Sequence, residues 1–317
     1  MNTTIKDEFD ADDLNLITLA QQFSDEDKAQ ELFESWRWPS GKPICPHCKH
    51  DESYKVTSKQ ETKRKVRRGL YYCAACRTPF TATVGTVMEG SHIPISKWMM
   101  AFFLICSSKK SISAHQLHRM LKLTYKSAWF MAHRIRFVFG DDGIKLSGVV
   151  EVDETFVGGK GDLKTKFSRK IPVVVLLERG GKAKTRVVSN VSQHNLGKAL
   201  AECVDKKATV NTDNHDAYKP ALKEYKRHDV VNHSAEEYHR RNPDGTISTT
   251  NTAESFFSLL KRGVYGAWHH VSREHLPKYA DEFAFRFSTS KMTDGARTAS
   301  AIPLIDGKRL MYRQPAK

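Results

Sequence analysis

VVEVDETFVGGK, residues 149–160, is a run of β-branched and alternating apolar residues that closes on a glycine pair, and Asp153 stands in its middle. Alternation puts Glu151, Asp153 and Thr155 on one face of the strand that this run predicts. A buried, unpaired carboxylate in a central strand is costly. Asp153 is therefore expected to ligate a metal or to lie at a sheet edge, with Glu151 and Glu154 as rival ligands. Working outward, Ile171–Glu178 and Thr185–Asn190 read as two further strands, and Gly158-Gly159 and Gly180-Gly181 as the turns between them. A helix over Gln193–Val204 and a strand over Ala208–Thr212 follow, and that strand runs straight into Asp213. Val230-Val231 is a candidate fifth strand, and residues 233–250 read as a long polar loop around Pro243-Asp244-Gly245. Helices over Asn251–Arg262 and Arg273–Phe287 complete a mixed sheet flanked by helices.

Two more acids stand at informative places. Asp213 ends its strand, where ligand sites in α/β sheets usually lie; the plain alternative is a loop Asp capping the next turn, with Asp216 as rival. Glu254 opens the helix of NTAESFFSLLK, where Asn251 and Glu254 also fit an N-cap with its partner three residues on. Ser258 and Lys261 follow on the face of Glu254. An acid within one strand, another at the tip of a second and a third on a helix can meet in one pocket, and carboxylates gathered around hard cations suit phosphodiester chemistry.

The amino-terminal half has a different character. Cys45-Pro46-His47-Cys48 and Cys73-Ala74-Ala75-Cys76 are separated by 24 residues that read as strand, turn and strand. Two such knuckles supply four thiolates in a tetrahedron, which fits one structural Zn²⁺ held by Cys45, Cys48, Cys73 and Cys76. His47 and His50 are available as substitute ligands that four cysteines do not need. The two remaining cysteines, Cys106 and Cys203, lie in apolar helical contexts and read as small core residues. The hairpin between the knuckles carries Lys63, Arg64, Lys65, Arg67 and Arg68, a solvated face that also suits phosphate contact. Residues 91–140 read as helices over Ile95–Cys106, Ala114–Leu121 and Tyr125–Phe139, the last two joined as in a helix-turn-helix. The third of these sets Lys126 and Arg134 beside Trp129 and Phe130, so it is expected to show one core face and one basic, DNA-binding face. A plain three-helix packing region fits the same pattern.

The chain has 317 residues, with 39% hydrophobic and 10% aromatic side chains, enough for several domains with packed cores and not the composition of a disordered chain. Its longest apolar run, Trp98–Cys106, falls short of the roughly 18 residues of a membrane helix. The acidic start lacks the pattern of a signal peptide, so a cytoplasmic location is expected. The net charge is +15, yet residues 1–34 hold ten acids against two lysines. The excess of positive charge on the rest points to a polyanionic partner, most simply nucleic acid. The expected divisions are an acidic amino terminus with short helices (1–40), a zinc ribbon (41–90), a helical DNA-binding region (91–142), a catalytic α/β domain (143–290) and a loose tail (291–317).

As an ordered set, RWPSGKPICPHC, YYCAACRTPFT, GTVMEGSHIPISKW, VDETFVGGK, TDNHDAY and NTAESFFSLLKRGVYGAWHHVSREHLPKYADEFAFRF resemble the DDE transposases of bacterial insertion sequences, in the branch with an amino-terminal zinc ribbon. The likeness runs from about residue 20 to 290. It implies an RNase-H-like catalytic domain in which Asp153, Asp213 and Glu254 hold two Mg²⁺ or Mn²⁺ ions and Lys261, with Arg262 beside it, contacts DNA. It implies strand cleavage at transposon ends, then transfer of the freed 3′-hydroxyl into target DNA, by a homo-oligomer of two or more copies acting near the nucleoid on double-stranded terminal inverted repeats. The forty residues between Asp213 and Glu254 exceed the interval in many such enzymes, and the loop at 233–250 accounts for the excess. The competing readings are an RNase-H-like nuclease or resolvase without strand transfer, a zinc-ribbon regulator that binds DNA without catalysis, and a domesticated transposase that retains only binding.

Overall fold

The computed structural model describes residues 11–57, 66–140, 142–158, 170–232, 237 and 239–311. Lys63, Arg64 and Lys65 lie outside the described residues. The chain divides into two compact units, Met1–Val138 with Lys291–Lys317, and Phe139–Ser290.

In the first unit a 3₁₀ turn (Ala11–Asp13) leads into helices α1 (Leu16–Phe23) and α2 (Glu26–Arg37). Asn15 caps α1, its side chain accepting from the amides of Ile17 and Thr18. The side chain of Asp25 caps α2, and acids at Glu26 and Asp27 favour the same helix end. A small antiparallel sheet follows: β1 (Ser53–Lys55), β2 (Leu70–Cys73) and β3 (Pro79–Thr81). Trp38, Tyr71 and Phe80 pack ring to ring between α2 and this sheet. Tyr71 donates its hydroxyl hydrogen bond to Glu34 of α2 at 2.7 Å. The regions 1–40 and 41–90 therefore share a core.

Helices α3 (Ile95–Ser107), α4 (Ala114–Leu121) and α5 (Tyr125–Val138) complete the body of this unit. Helix α3 buries Trp98, Met99, Phe102, Phe103 and Ile105, residues around most of its circumference, as a central helix does. Ser113 caps α4, and Lys122, at φ 48°, closes it in the left-handed region before α5 begins. Residues 291–317 are not a loose tail over their described part. Thr293 caps a helix, Asp294–Ala301, and Arg297 donates to the carbonyl of Cys106 at 2.9 Å. A Cβ added at Gly295 would meet the Ala11 carbonyl oxygen at 1.7 Å, so glycine is what lets this helix lie flush on the amino-terminal turn. The tail expectation failed because one short polar helix carries a weak periodic signal, whereas its stability comes from tertiary contact.

The second unit is built on a five-stranded sheet in the order β6-β5-β4-β7-β8, from β4 (Val149–Val157), β5 (Ile171–Glu178), β6 (Ala183–Val187), β7 (Thr209–Asp213) and β8 (Arg227–Val231). The first three strands pair antiparallel, and β7 and β8 add in parallel. Helix α6 (Gln193–Cys203) makes the crossover from β6 to β7, and the short helix α7 (Tyr218–Ala221) the one from β7 to β8. The mixed sheet with helices on its faces is the expected α/β architecture and is consistent with an RNase-H-like fold. Strand β5 is buried on both faces, which explains why IPVVVLL is apolar without alternation. One face of the sheet, with Val157, Val173, Val175 and Leu177, packs on helices α8 (Asn251–Gly263) and α9 (Leu276–Ser288). The other, with Val150, Val152, Val174 and Leu176, packs on α6 and α7.

Two expectations are corrected here. The segment read as a long loop holds a hairpin of β9 (His239–Arg241) and β10 (Ile247–Thr249). Asp244 accepts from the Thr246 amide, Gly245 takes φ +79°, and the buried Asn242 side chain donates to Ser248 Oγ at 2.8 Å. The polar turn residues that suggested a loop are thus the turn of the hairpin. Strand β8 spans five residues rather than the pair Val230-Val231, because an edge strand tolerates the charged Arg227 and Asp229. A π-helical turn, Val264–Trp268, follows α8.

Candidate functional site

Strand β4 runs parallel to β7 with Val149 beside Thr209, Val150 beside Val210 and Glu151 beside Asn211. Two residues further along that register, Asp153 comes beside Asp213, the last residue of β7. Both strands are set by buried valines, Val150, Val152 and Val210, so the acids are placed by apolar neighbours rather than by each other. Pairing with β7 stops at Glu151 while β4 continues to Val157. Past that point the strands no longer hold each other, and side chains from both faces of β4 can reach the gap.

Asp153, Glu154 and Asp213 each place a carboxylate oxygen within 4.8 Å of the others. Glu254 is outside this tight group, yet its charge is among those that raise Asp153. Burial pushes the Asp153 carboxyl up to about 8, the Glu154 amide bound to its Oδ1 at 2.7 Å opposes this, and the charges of Glu154, Asp213 and Glu254 add to the rise. Burial also raises Glu154, partly offset by the hydrogen bond it accepts from Tyr218 at 2.5 Å. Crowded oxygens with such proton affinity form a donor set that lacks only positive charge, and hard divalent cations are what oxygen ligands of this kind hold.

The rivals are sorted by their partners. Glu151 is 1% exposed and bound to Arg179 and Thr252, so it faces away from any ligand role. Asp216 is exposed and paired with Lys219 at 2.9 Å. Asp213 also accepts from the His215 amide at 3.2 Å, the turn-capping alternative realised alongside its place in the cluster. Glu254 is not a capping partner of Asn251: helix α8 starts one residue earlier in effect, with Thr250 as N-cap and Asn251 inside the first turn.

The cysteines gather as expected from their spacing. All four Sγ atoms lie within 4.8 Å of one another, with Cys45–Cys76 at 3.7 Å and Cys48–Cys73 at 3.5 Å. Thiolates at about 2.3 Å from a tetrahedral centre stand about 3.8 Å apart, so this cluster fits a zinc ribbon. The two knuckles repeat one geometry. Lys49 and Arg77, each four residues past the first cysteine, take φ 65° and φ 55°, and their amides donate to the carbonyls of Cys45 and Cys73. Cys106 and Cys203 are buried, as core residues.

Residues 145–288 match the ISXO2-like transposase domain, and residues 24–79 match the transposase zinc-ribbon domain. The chain thus carries an ISXO2-like transposase domain behind a transposase zinc-ribbon domain. It is 28% identical over 284 residues to an uncharacterized protein in transposable element ISH50 of Halobacterium salinarum, covering 83% of this chain and 91% of that protein. A cryo-electron-microscopy structure of the simian T-cell lymphotropic virus intasome in complex with PP2A regulatory subunit B56 gamma overlaps 58% of this chain and 64% of that chain. At 15% identity and a TM-score of 0.28, that likeness is too weak to bear on function.

The basic residues of the chain divide into two kinds. Arg67, Arg68, Lys126 and Arg262 reach the surface or lie near it, Arg68 pairing with Asp27 at 2.8 Å and Arg262 donating to the Ser258 carbonyl at 3.1 Å. Lys261 is half-buried on α8, seven residues past Glu254. Arg134 is corrected. It is 7% exposed, donates to the Glu89 carbonyl at 2.5 Å and lies over the rings of Trp98 and Phe130. Burial lowers its pKa, and its guanidinium serves the core of the first unit rather than a DNA-facing surface.

Sequence reasoning missed Tyr218. It is fully buried on α7, and burial beside Glu154 raises its hydroxyl well above the usual phenol range, so it stays a donor to that acid. Its signal was present: Tyr218 is the one aromatic of TDNHDAY, five residues past Asp213. Among the described residues no helix is long and apolar enough to cross a membrane.

Proposed function

We propose that this transposase cuts DNA at the ends of its element and joins the freed ends to a target, using the pocket of Asp153, Asp213, Glu154 and Glu254. The observation that carries the reading is the meeting of three acids from β4 and β7 within 4.8 Å, inside a transposase domain. In the first step a water oxygen attacks the phosphorus at the element boundary, and the departing oxygen leaves as a 3′-hydroxyl. In the second, that hydroxyl attacks a target phosphodiester, one P–O bond forms as another breaks, and a target 3′-hydroxyl is released. No bond is lost overall in the second step, so no energy source is required.

Divalent cations, Mg²⁺ or Mn²⁺, supply the lowered pKa of the attacking oxygen and the charge at the leaving one. Asp153 and Asp213 would hold them, with Glu154 and Glu254 completing the oxygen set. The chain's own part is to orient these groups. Tyr218 donates to one oxygen of Glu154 and so fixes the orientation of that carboxylate. Asp153, whose proton affinity comes from burial and the neighbouring acids, would exchange that proton for a bound cation. Lys261 offers a cation for a DNA phosphate along the helix that carries Glu254. The zinc ribbon, with Arg67 and Arg68, and helix α5, with Lys126, are the proposed surfaces for the terminal inverted repeats. Two ends must be joined together, so the active species is a dimer or higher oligomer acting in the cytoplasm at the nucleoid.

The test is incubation of the purified protein with duplexes that carry the element's own ends and a supercoiled target plasmid, in Mg²⁺ or Mn²⁺. Covalent joining of end to plasmid is the expected product. Cleavage without joining would establish the nuclease reading instead, and binding without either would establish a regulator.

A further inference from the structure

We propose that Glu151 is a positioning residue that clamps helix α8 to strand β4 and so sets the separation of Asp153 and Glu254; the inference rests on the reading that those two acids serve one site. Glu151 and Asp153 are two residues apart on one face of β4. Thr252 and Glu254 are two residues apart at the start of α8. The clamp joins these pairs directly. The Thr252 amide donates to Glu151 Oε2 at 3.0 Å, and the Thr252 hydroxyl donates to Oε1 at 3.0 Å.

At the start of helix α8 the Asn251 amide is taken by the Thr249 hydroxyl at 3.1 Å, but the next amide, that of Thr252, has no local side-chain acceptor. Thr250 stands at the N-cap position, and its side chain does not cap the helix. A carboxylate from another strand takes that role, satisfying one free amide and meeting the positive end of the helix dipole. Placed this way, the cap fixes the helix in space as well as ending it. A serine or aspartate at position 250 would end the helix equally well without tying it to β4.

Arg179 adds a second tie to the clamp, sharing Oε1 with the Thr252 hydroxyl. One arm donates to Glu151 Oε1 at 3.1 Å, the other to the Ile247 carbonyl at 2.9 Å. Three segments thus meet on one carboxylate, β4, the turn after β5 and α8, and Arg179 links them to β10. Asn211, beside Glu151 on β7, adds a long contact to the Thr249 carbonyl at 3.5 Å. Glu151 is 1% exposed and its oxygens are occupied, so it has no part in binding a ligand itself. Its effect on chemistry passes through Glu254.

The experiment is a double-mutant cycle on the full chain with its zinc retained, read by Mn²⁺ binding in electron paramagnetic resonance and by hydrogen exchange at the start of α8. Glu254→Ala and Glu151→Ala are each expected to weaken Mn²⁺ binding about tenfold, the size usual for groups that orient ligands. The double variant is expected to be no weaker than Glu254→Ala alone, and exchange at Thr252 to rise at least about tenfold in Glu151→Ala. Glu151→Gln, which keeps the volume but turns a donor toward Arg179 or Thr252, is expected to fall between, and it carries the test where the alanine variant does not fold. Losses that multiply in the double variant, or unchanged exchange at Thr252, overturn the clamp. Should the cycle come out as expected while wild-type protein neither cuts nor joins DNA, the clamp stands and the transposition chemistry proposed above fails.

Discussion

Replacing Asp153 by Asn removes the most crowded charge of the site, and it is expected to stabilise the cation-free protein while abolishing DNA cleavage. In the unfolded chain this carboxyl ionises near 3.9. In the fold, burial and then the neighbouring acids lift it to about 8. A carboxyl raised on folding contributes its stability below the unfolded value and loses it as pH climbs toward the folded one. Between about pH 4 and pH 8 each unit costs up to about 1.4 kcal/mol, which gives an upper bound of ~4 kcal/mol at pH 7 and ~1.5 kcal/mol at pH 5. The cluster is only partly enclosed, and screening brings the pH 7 figure to about 2 kcal/mol. The amide of Asn carries no such cost, and its Oδ1 can still accept from the Glu154 amide. At about 2–4 °C per kcal/mol for a unit of this size, D153N is expected to melt about 4–8 °C above wild type at pH 7 and within about 3 °C of it at pH 5. The assay is calorimetry in buffers free of magnesium and manganese, without a chelator that would strip a metal from the cysteine cluster. Added Mg²⁺ is expected to raise the wild-type transition and narrow the gap, because a ligand for the folded state alone stabilises it by mass action. A variant that melts below wild type at pH 7, or whose advantage is as large at pH 5, would refute the account of Asp153 as a strained, cation-seeking carboxylate.

The other predictions separate structural from DNA-facing roles. Tyr218→Phe is expected to cost about 1–3 kcal/mol by leaving Glu154 without its donor, and to weaken Mn²⁺ binding; calorimetry and titration check the two together. Arg134→Ala is expected to destabilise the first unit through lost packing and leave the salt dependence of DNA binding unchanged, whereas Lys126→Ala leaves melting unchanged and lowers the salt slope by about one. Cys45→Ser is expected to lower the zinc content of the purified protein, read by metal analysis, and to loosen the two knuckles at the ends of the β1–β3 sheet.

Much of the second unit was legible because its signals are local. The alternation in VVEVDETFV marks a strand, the unbroken IPVVVLL marks one buried on both faces, and Asp213 ends a strand that sequence placed within a residue of its true bounds. What sequence could not supply is the side of a contact. Arg134 and Lys126 sit on the same helix with similar surroundings in sequence, and only tertiary packing sends the first over Trp98 and leaves the second outside. Glu151, Glu154 and Asp153 are chemically alike within four residues, and alternation alone favours pairing Glu151 with Asp153. The structure turns this round: Glu151 is consumed by Arg179 and Thr252, and Glu154, from the opposite face, reaches the cluster where β7 has ended. A hairpin hidden under polar turn residues and a terminal helix held by distant partners were illegible for the same reason: their stability is not written in their own residues.

The placement of the acids also says how a site of mutually repelling charges survives in a folded protein. Each acid stands beside residues that anchor its element without its help: Val150 and Val152 for Asp153, Val210 for Asp213, and Ala253, Phe256 and Phe257 for Glu254. These lie in the two cores on either face of the sheet, where each buried Val or Phe contributes roughly 1.5–3 kcal/mol. A handful of them outweighs the ~2 kcal/mol strain assigned to Asp153. Apolar packing alone, however, fixes a helix on a sheet only to within the tolerance of side-chain repacking, whereas ligands of a small cation must agree to a few tenths of an ångström. Directional bonds have to supply the remainder, and they occur where that need is greatest: Thr252 to Glu151 between α8 and β4, and Tyr218 to Glu154 beneath the cluster. Each ties an acid-bearing element to another element, and neither uses the acids Asp153, Asp213 or Glu254. Repulsion among the acids can thus be stored in the metal-free fold and relieved by cations without the scaffold having to move.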